Sequence, residues 1–591
     1  MCDTDGCAGI RLDDDTSCWE HAPDRAVHRA LERIADGGHL DARGVHVTAS
    51  LLERVLAAAP SDAEGYPHLQ RADFRRCRFE PDASFTRVRF EGRSRFDEAR
   101  FDGTNELGAP DEPNESADFT EARFGGAVWF EAARFAGEAR FVGADFAGAT
   151  WFTSTRFRAS GRFDDATFGA NVSFHQARFR KDAHLSRARF TGDLSATEAT
   201  VGQDAVFSEA AFDQATVFTG SRVGGIADFT RSTFATSQQL GPLAADRVLL
   251  GETVWHARAR IQVVATLVQG HGARFLDGVH LEVDRGRAPS VGLELDGADL
   301  TAPSVVGQGG PFPGLDVGAR DHGDDDRGEA NLPQLLSLHG ADVAGLALSR
   351  VDLGRCLFDG AHNLDRLRTD AVRFAAPPGG RTSRDVIAEE RHWRAAHALG
   401  RRSRDRWAHE IGTGPEATRP DGLRADQVAA LYRSLRRGRE GLKDEPGAAD
   451  LYYGEMEMRR QATSPRHPPG HQGSGRSRPA AAAGEHLILT LYWFTSGYGL
   501  RAWRALAALS TLVVAAGFVL TAWGLHDPGP PGEEATLADA LLISARACTA
   551  VLAGPDERLT AFGEWLQIGL RLLGPALLGL ALLAIRGRVR R

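Results

Sequence analysis

From Phe119 to Leu240, large apolar residues recur at alternating intervals of five and six without a slip. They fall at Phe119, Phe124, Phe130, Phe135, Phe141, Phe146, Phe152 and Phe157, then in the same rhythm to Phe234 and Leu240, an advance of 121 positions. The residue two before each anchor is usually small, as at Ala117, Ala122, Ala133 and Ala144. Neither the helix period of 3.6 nor the strand period of 2 fits this spacing. A chain that turns a corner at every anchor does fit. Each side of a square coil then points one large residue inward, with a small one beside it. A fixed short period of this kind is the mark of a solenoid. At 22 residues per coil and ~4.8 Å between stacked strands, the regular stretch is about 26 Å long. Ladder hydrogen bonds from coil to coil satisfy the backbone.

The rhythm begins earlier, at Phe74, Phe79, Phe85, Phe90, Phe96, Phe101 and Leu107. The polar stretch Gly108–Ser116 then adds one residue to the expected step, which predicts a loop bulging from a corner. Beyond 240 the pattern degrades, although Ala298-Asp-Leu-Thr-Ala and the series Leu348, Leu353, Phe358 keep it. Arg320–Gly328 reads as an acidic loop, and the Gly- and Pro-rich Gly307–Gly314 as another.

The segments Ala117-Asp-Phe-Thr-Glu, Ala122-Arg-Phe-Gly-Gly, Ala133-Arg-Phe-Ala-Gly and Ala144-Asp-Phe-Ala-Gly resemble the A-[D/N]-[L/F]-x-x unit of the pentapeptide-repeat family. The resemblance implies a right-handed quadrilateral β-helix. The expected fold class is therefore mainly β, with a helical N-terminal cap, a helical juxtamembrane region and two C-terminal transmembrane helices.

The expected organisation has seven parts. Residues 1–22 are a metal-binding segment. Residues 23–69 are a cap of two amphipathic helices, Asp24–Ala35 and Thr48–Ala59, joined by a Gly-rich turn. The regular β-helix spans 70–240 and its degenerate continuation 241–380. Residues 381–460 are helical, with helices at Val386–Leu399, Leu423–Leu435 and Ala448–Arg460. A Pro-, Gly-, Ser- and His-rich linker covers 461–484. The membrane region is 485–591, with helices near 505–525 and 566–585. Each of those apolar runs is long enough to cross a bilayer core. Arg501 and Arg504 precede the first; Arg586, Arg588, Arg590 and Arg591 follow the second. The positive-inside rule then puts both ends in the cytoplasm, with Trp493, Phe494 and Trp503 in the interfacial belt.

Composition adds compartment and excludes some classes. Lysine occurs only at Lys181 and Lys443, a skew expected of a GC-rich, actinobacterial-type genome. The first thirty residues are polar and acidic, unlike a signal peptide. Cys77 and Cys356 occupy the small-residue slot and are expected to be buried, free thiols.

Cys2, Cys7, Cys18 and His21 form a C-x4-C-x10-C-x2-H set. Three thiolates and one imidazole suit a closed tetrahedral structural zinc site. A 22-residue polar segment has no core, so the metal would supply its folding energy. Glu389 and His392 form one ExxH pair, where di-iron carboxylate sites use two; a solvated helix face is expected instead. No dinucleotide fingerprint, Walker loop or nucleophile elbow is present, and nothing specifies an enzyme, residues 241–375 being the one region left open.

Thr495-Ser-Gly-Tyr-Gly499 is similar to a potassium-channel filter, but it precedes the first membrane helix, whereas a filter lies between two. Leu537–Ala553 resembles a pore helix, and the following Ala550–Glu557 lacks a filter. The hairpin thus resembles a degenerate two-helix ion-channel module. Arg571, inside the second membrane helix, is expected to snorkel outward or to pair with an acid in an oligomer. Tyr432–Arg460 resembles the juxtamembrane helical hairpin of membrane-anchored pentapeptide-repeat proteins.

The leading expectation is a membrane-tethered, non-catalytic scaffold offering a protein-binding surface in the cytoplasm, its partners the plasma-membrane bilayer, an unnamed protein and further copies of itself. A channel-derived sensor or ion-channel-like oligomer is one alternative, and a DNA mimic that binds a topoisomerase is another, weakened by charge. Some pentapeptide-repeat proteins mimic DNA and bind topoisomerases through an acidic surface. Residues 71–240 hold 22 Lys/Arg and 25 Asp/Glu, too even a balance for that role, and nucleic acid is not an expected partner.

Overall fold

Two backbone devices recur at the corners of the regular coil among the described residues, and together they produce the five/six rhythm. In the computed structural model a tight turn follows Phe74, Phe119, Phe130 and Phe141. The amide three residues on donates to the anchor's carbonyl at 3.1 Å, as in Ala133 N to Phe130 O. The third residue of each turn has positive φ: 60° at Arg76, 56° at Glu121, 55° at Ala132. This is the type II requirement, and it spaces the next anchor by five. Among the described residues, the corners after Phe79, Phe90 and Phe124 lack that bond and take six. L-residues in this region are strained by about 1–2 kcal/mol. Ala132→Gly is accordingly expected to raise the denaturant midpoint, by about 0.5–1 kcal/mol after the entropy of glycine is subtracted. Ala132→Val should lower it, since a β-branched residue tolerates this conformation worst. Equal midpoints for the two variants would refute the account.

The structure describes residues 1–102, 115–236, 238–286, 288–310, 312, 315, 332–379, 384–398, 400–409, 422–464, 478–525, 536–549 and 559–589. They divide into two compact units, Met1–Phe374 and Ala375–Arg591.

The first unit is the solenoid. Two-residue strands form four parallel ladders, one per side, with partners 22 residues apart. Phe124 pairs with Phe146 and Phe146 with Phe168; Phe135 pairs with Phe157. The anchors stack face to face, 4.8 Å between Phe119 and Phe141 and 4.9 Å between Phe141 and Phe163. Rings on opposite sides of the coil meet edge on, as in Phe130 and Phe141. The phenylalanine anchors and Ala117, Ala122, Ala133 and Ala144 are buried, as the pattern predicts. So are Cys77 and Cys356. Where Leu185, Ala196 and Val201 replace phenylalanine, the stack opens into an apolar cavity of about 40 Å³.

Three features depart from the sequence reading. Leu107 lies outside the described residues, as does most of Gly108–Ser116, and its corner is filled by Phe119, which stacks on Phe85. Partners across this point are 34 residues apart, so the insertion after Asp102 is a dozen residues and not one. The cap is not purely helical. Between α1 (Asp24–Ala35) and α2 (Ala49–Ala58), strands Leu40–Asp41 and His46–Val47 pair with Ala72–Asp73 and Arg78–Phe79. The Gly-rich turn is thus the first coil. Beyond 240 the coil persists with longer strands, Gln238–Ala244, Ala259–Val264, Val279–Asp284 and Ser304–Gln308. Gly307 lies in the last of these, so the expected loop starts later. Phe234, Trp255 and Phe275 continue the stack at shortened intervals, which is why the motif fades while the fold does not. The acidic stretch Arg320–Gly328 lies outside the described residues.

The second unit is helical: α3 (Ala388–His397), α4 (Arg401–His409), α5 (Ala425–Gly441), α6 (Glu445–Ala462), α7 (Arg478–Ser496), α8 (Ala502–Val519), α9 (Leu537–Thr549) and α10 (Ala561–Val589). α8 runs on through a π-helical turn, Leu520–Gly524. α4 was not predicted, and α7 occupies part of the expected linker and the aromatic segment. Asp444 caps α6, accepting from the Gly447 amide at 3.1 Å.

Candidate metal centre and buried Arg–Glu–Tyr network

The N-terminal segment folds into a knuckle with little apolar interior. Backbone bonds from Cys2 N to Gly9 O (2.7 Å), Asp3 N to Thr16 O (3.1 Å) and Leu12 N to Ser17 O (2.9 Å) close it on itself. Ile10 N donates to Arg43 O at 2.8 Å, and the Trp19 indole N–H to Asp41 O at 2.8 Å. The knuckle therefore sits on the first coil. That placement needs Gly44, where a Cβ would lie 2.3 Å from the Ala8 carbonyl oxygen.

These bonds converge Cys2, Cys7, Cys18 and His21, whose donor atoms all lie within 4.8 Å of one another. Cys7 Sγ is 3.6 Å from Cys18 Sγ; His21 Nδ1 is 3.3 Å from Cys18 Sγ and 3.9 Å from Cys2 Sγ. Tetrahedral zinc with ~2.3 Å bonds to sulfur and ~2.0 Å to nitrogen needs separations of about 3.6–3.8 Å, so the donor set fits. Backbone amides face the sulfurs: Gly9 N at 3.3 Å from Cys7 Sγ and Cys18 N at 3.4 Å from Cys2 Sγ. Such outer-shell donors orient metal thiolates. Gly9 is required here, because a Cβ would come 2.7 Å from Cys18 Cβ. Hydrogen bonding with Thr4 holds the Cys2 thiol down at about 6, while burial pushes Cys18 up to about 12. The set can hold one metal ion.

A second constellation lies in the helical unit. Glu390 is fully buried and accepts from Arg384 Nη1 (2.9 Å), Arg394 Nε (2.6 Å) and the Tyr432 hydroxyl (2.6 Å). Arg394 also reaches Glu457 at 3.2 Å, which accepts from Arg460 (2.9 Å) and the Tyr498 hydroxyl (3.0 Å). Arg501 lies over the Tyr453 ring at 4.9 Å, and Arg460 and Arg504 over Trp493 at 4.9 and 5.1 Å. The chain of contacts thus joins α3, α5 and α6 to the start of α8.

Burial would raise the Glu390 carboxyl, but Arg384, Arg394 and the Tyr432 hydroxyl outweigh it and hold the group down at about 2. A depressed carboxyl stabilises the fold above its unfolded value near 4.5, and that stabilisation disappears as pH falls toward 2. The helical unit is therefore expected to lose about 3 kcal/mol between pH 5 and pH 2 through this residue. Asp385, raised by burial to about 6, acts in the opposite sense between about pH 6 and 4. Thermal unfolding against pH should show an acid limb that Glu390→Gln removes. A variant with an unchanged limb would assign it elsewhere.

Thr495–Gly499 is no filter. Gly497, Tyr498 and Gly499 take successive left-handed conformations, φ 56°, 60° and 76°, turning the chain from α7 into α8. Tyr498 is buried against α6. Glu389 is buried, so the expected solvated face of the Glu389–His392 pair is corrected; among the described residues neither belongs to a metal-binding group.

α8 with its π-helical turn (Ala502–Gly524) and the Ala561–Ile585 part of α10 have mean hydropathies of 2.2 and 2.1, enough to cross a membrane. α9 packs against both. Gly517 admits Leu541, and Gly574 admits the Cys548 backbone, so small residues let these helices approach closely. Arg571 is half-buried in α10. Residues 550–557 lie outside the described residues.

The family model for pentapeptide repeats (9 copies) matches residues 66–108 and 114–156. That stretch consists of pentapeptide repeats. The same 22-residue register runs on beyond the match to Phe234, so the pentapeptide-repeat coil and the rest of the solenoid are one ladder. No curated protein and no solved structure matches the chain.

The metal set was predictable from residue type and spacing. The Arg–Glu–Tyr network was not, because Glu390 and Glu457 are 67 positions apart and each sits among ordinary helix formers.

Proposed function

We propose that this pentapeptide-repeat protein is a membrane-tethered scaffold. A rigid β-helix offers a protein-binding surface at the cytoplasmic side of the plasma membrane, and the chain carries no catalysis of its own. The observation that supports this reading is the union, in one chain, of a stacked-ring solenoid with two helices of membrane-spanning length. Arginines outside both spans favour cytoplasmic ends. In this reading the Cys2, Cys7, Cys18, His21 set holds structural zinc and closes the open end of the solenoid, which solenoids require of their terminal units. Crosslinking in native membranes followed by mass spectrometry tests the scaffold role: a reproducible partner crosslinked to residues 70–374 supports it, and crosslinks confined to lipid and to copies of the same chain count against it.

The packing of α9 against α8 and α10 favours a second reading, a channel-derived sensor whose helices oligomerise. Planar-bilayer recording separates the two. Unitary currents from the purified protein would favour the sensor; a silent bilayer favours the scaffold.

A further inference from the structure

Most solenoid arginines at the tight corners are neutralised by a carboxylate on the next coil. Arg76 pairs with Glu98, Arg87 with Glu121, Arg187 with Asp165 and Arg231 with Glu209. On one side of the coil such pairing stops after Arg78, which stacks on Arg100 and pairs with Asp102. Strand pairing stacks Arg100 on Arg134, Arg134 on Arg156 and Arg156 on Arg178. Just past the same corners, Arg158, Arg180 and Lys181 extend the row. All seven are exposed, and among the described residues none forms an ion pair. Four guanidinium-bearing strands at ~4.8 Å spacing bring like charges within a Debye length of one another. Repulsion of this kind weakens the fold, and like charges directly opposite on paired strands are unfavourable. A polyanionic surface would reverse the sign.

We infer that this arginine-lined side docks on the anionic headgroups of the bilayer to which the chain is tethered. The inference rests on the membrane-tethered reading above. Membrane insertion of α8 and α10 in the same chain would raise the effective concentration of headgroups. Trp129 and Trp151, stacked at 4.8 Å on the adjoining side and half-exposed, are the residue type found at headgroup level. Phosphatidylserine-type lipids attract each basic residue near the surface strongly enough that removing one weakens docking about fivefold.

Arginine footprinting with phenylglyoxal, read by mass spectrometry, tests this on the full chain in nanodiscs. Neutral phosphatidylcholine discs are compared with discs holding about one third phosphatidylserine, a strongly anionic surface. Arg134, Arg156, Arg158 and Arg178 should be modified several-fold more slowly in anionic discs, with the paired Arg187 and Arg231 unchanged. Added salt should abolish the difference. Arg134→Glu/Arg156→Glu/Arg178→Glu, with the solenoid circular dichroism unaltered, should remove protection at Arg158 and Arg180. Equal modification in both discs overturns the docking, and protection by duplex DNA alone overturns it in favour of a nucleic-acid partner. Incorporation into neutral discs reports the tether independently, so failure of docking is not confused with failure of membrane insertion.

Discussion

Phe141→Ala should cost the solenoid about 4–5 kcal/mol, at the upper end of what truncating a buried phenylalanine costs. Phe141 is fully buried and packs on six rings: Phe119 and Phe163 above and below, Phe130 and Phe152 edge on, and Phe135 and Phe146 at 6.1 and 6.2 Å. Truncation leaves a void that the neighbours cannot close, because each is held by its own ladder strand. The natural gap at Leu185, Ala196 and Val201 shows that the stack does not collapse inward when a ring is absent. The effect should also be local. In a quasi-one-dimensional fold each coil contacts only its neighbours, so hydrogen exchange should quicken in strands 118–168 while the coil at Leu40–Val47 keeps its protection. Phe141→Leu, which copies Leu185, should cost markedly less. A denaturant midpoint for Phe141→Ala within about 1 kcal/mol of the parent would mean that the ring stack does not hold the coil.

What the sequence made legible follows from where each constraint is written. The anchor rhythm was readable because one large side chain per corner is a local requirement repeated many times. The turn conformations were not, since Arg76, Glu121 and Ser154 occupy left-handed positions where glycine would have been the signal. The length of the insertion is hidden because Leu107 is apolar and in phase, and only the stacking of Phe119 on Phe85 reveals which corner follows Phe101. The first coil was hidden because Leu40 and Val47 flank a polar Gly-containing turn and carry no phenylalanine. The metal set was legible from chemistry alone, for three cysteines and a histidine in 22 polar residues have few other uses. The Arg–Glu–Tyr network is illegible for the opposite reason. Its glutamates look like solvated helix residues until α3 and α6 are brought together, and Tyr498 sits in a motif that resembles something else.

Removing zinc should have the largest effect of any single perturbation, though confined to one end. Purified full-length protein is expected to contain one zinc per chain, and Cys7→Ser or Cys18→Ser none. Structural zinc in small sites contributes about 10–16 kcal/mol at neutral pH, far more than the few backbone bonds that close residues 1–22. Stripping the metal should therefore release the knuckle from the first coil, freeing Trp19 from Asp41 O and opening Arg11 to trypsin. The Trp19 environment makes the event visible, because the side chain is buried and its indole N–H is bonded to the coil. α1 and α2 should persist: Ala26, Val27, Ala30 and Ile34 of α1 and Leu52 and Val55 of α2 stay buried in the cap. Chelation followed by limited trypsinolysis should cut first at Arg11 and leave the Phe ladder intact. Cys77→Ser, which alters a buried thiol outside the set, should leave the zinc content at one. Zinc-free wild type, or cleavage at Arg11 at the same rate with and without chelator, would end the metal reading and leave the knuckle as a fold held by its own hydrogen bonds.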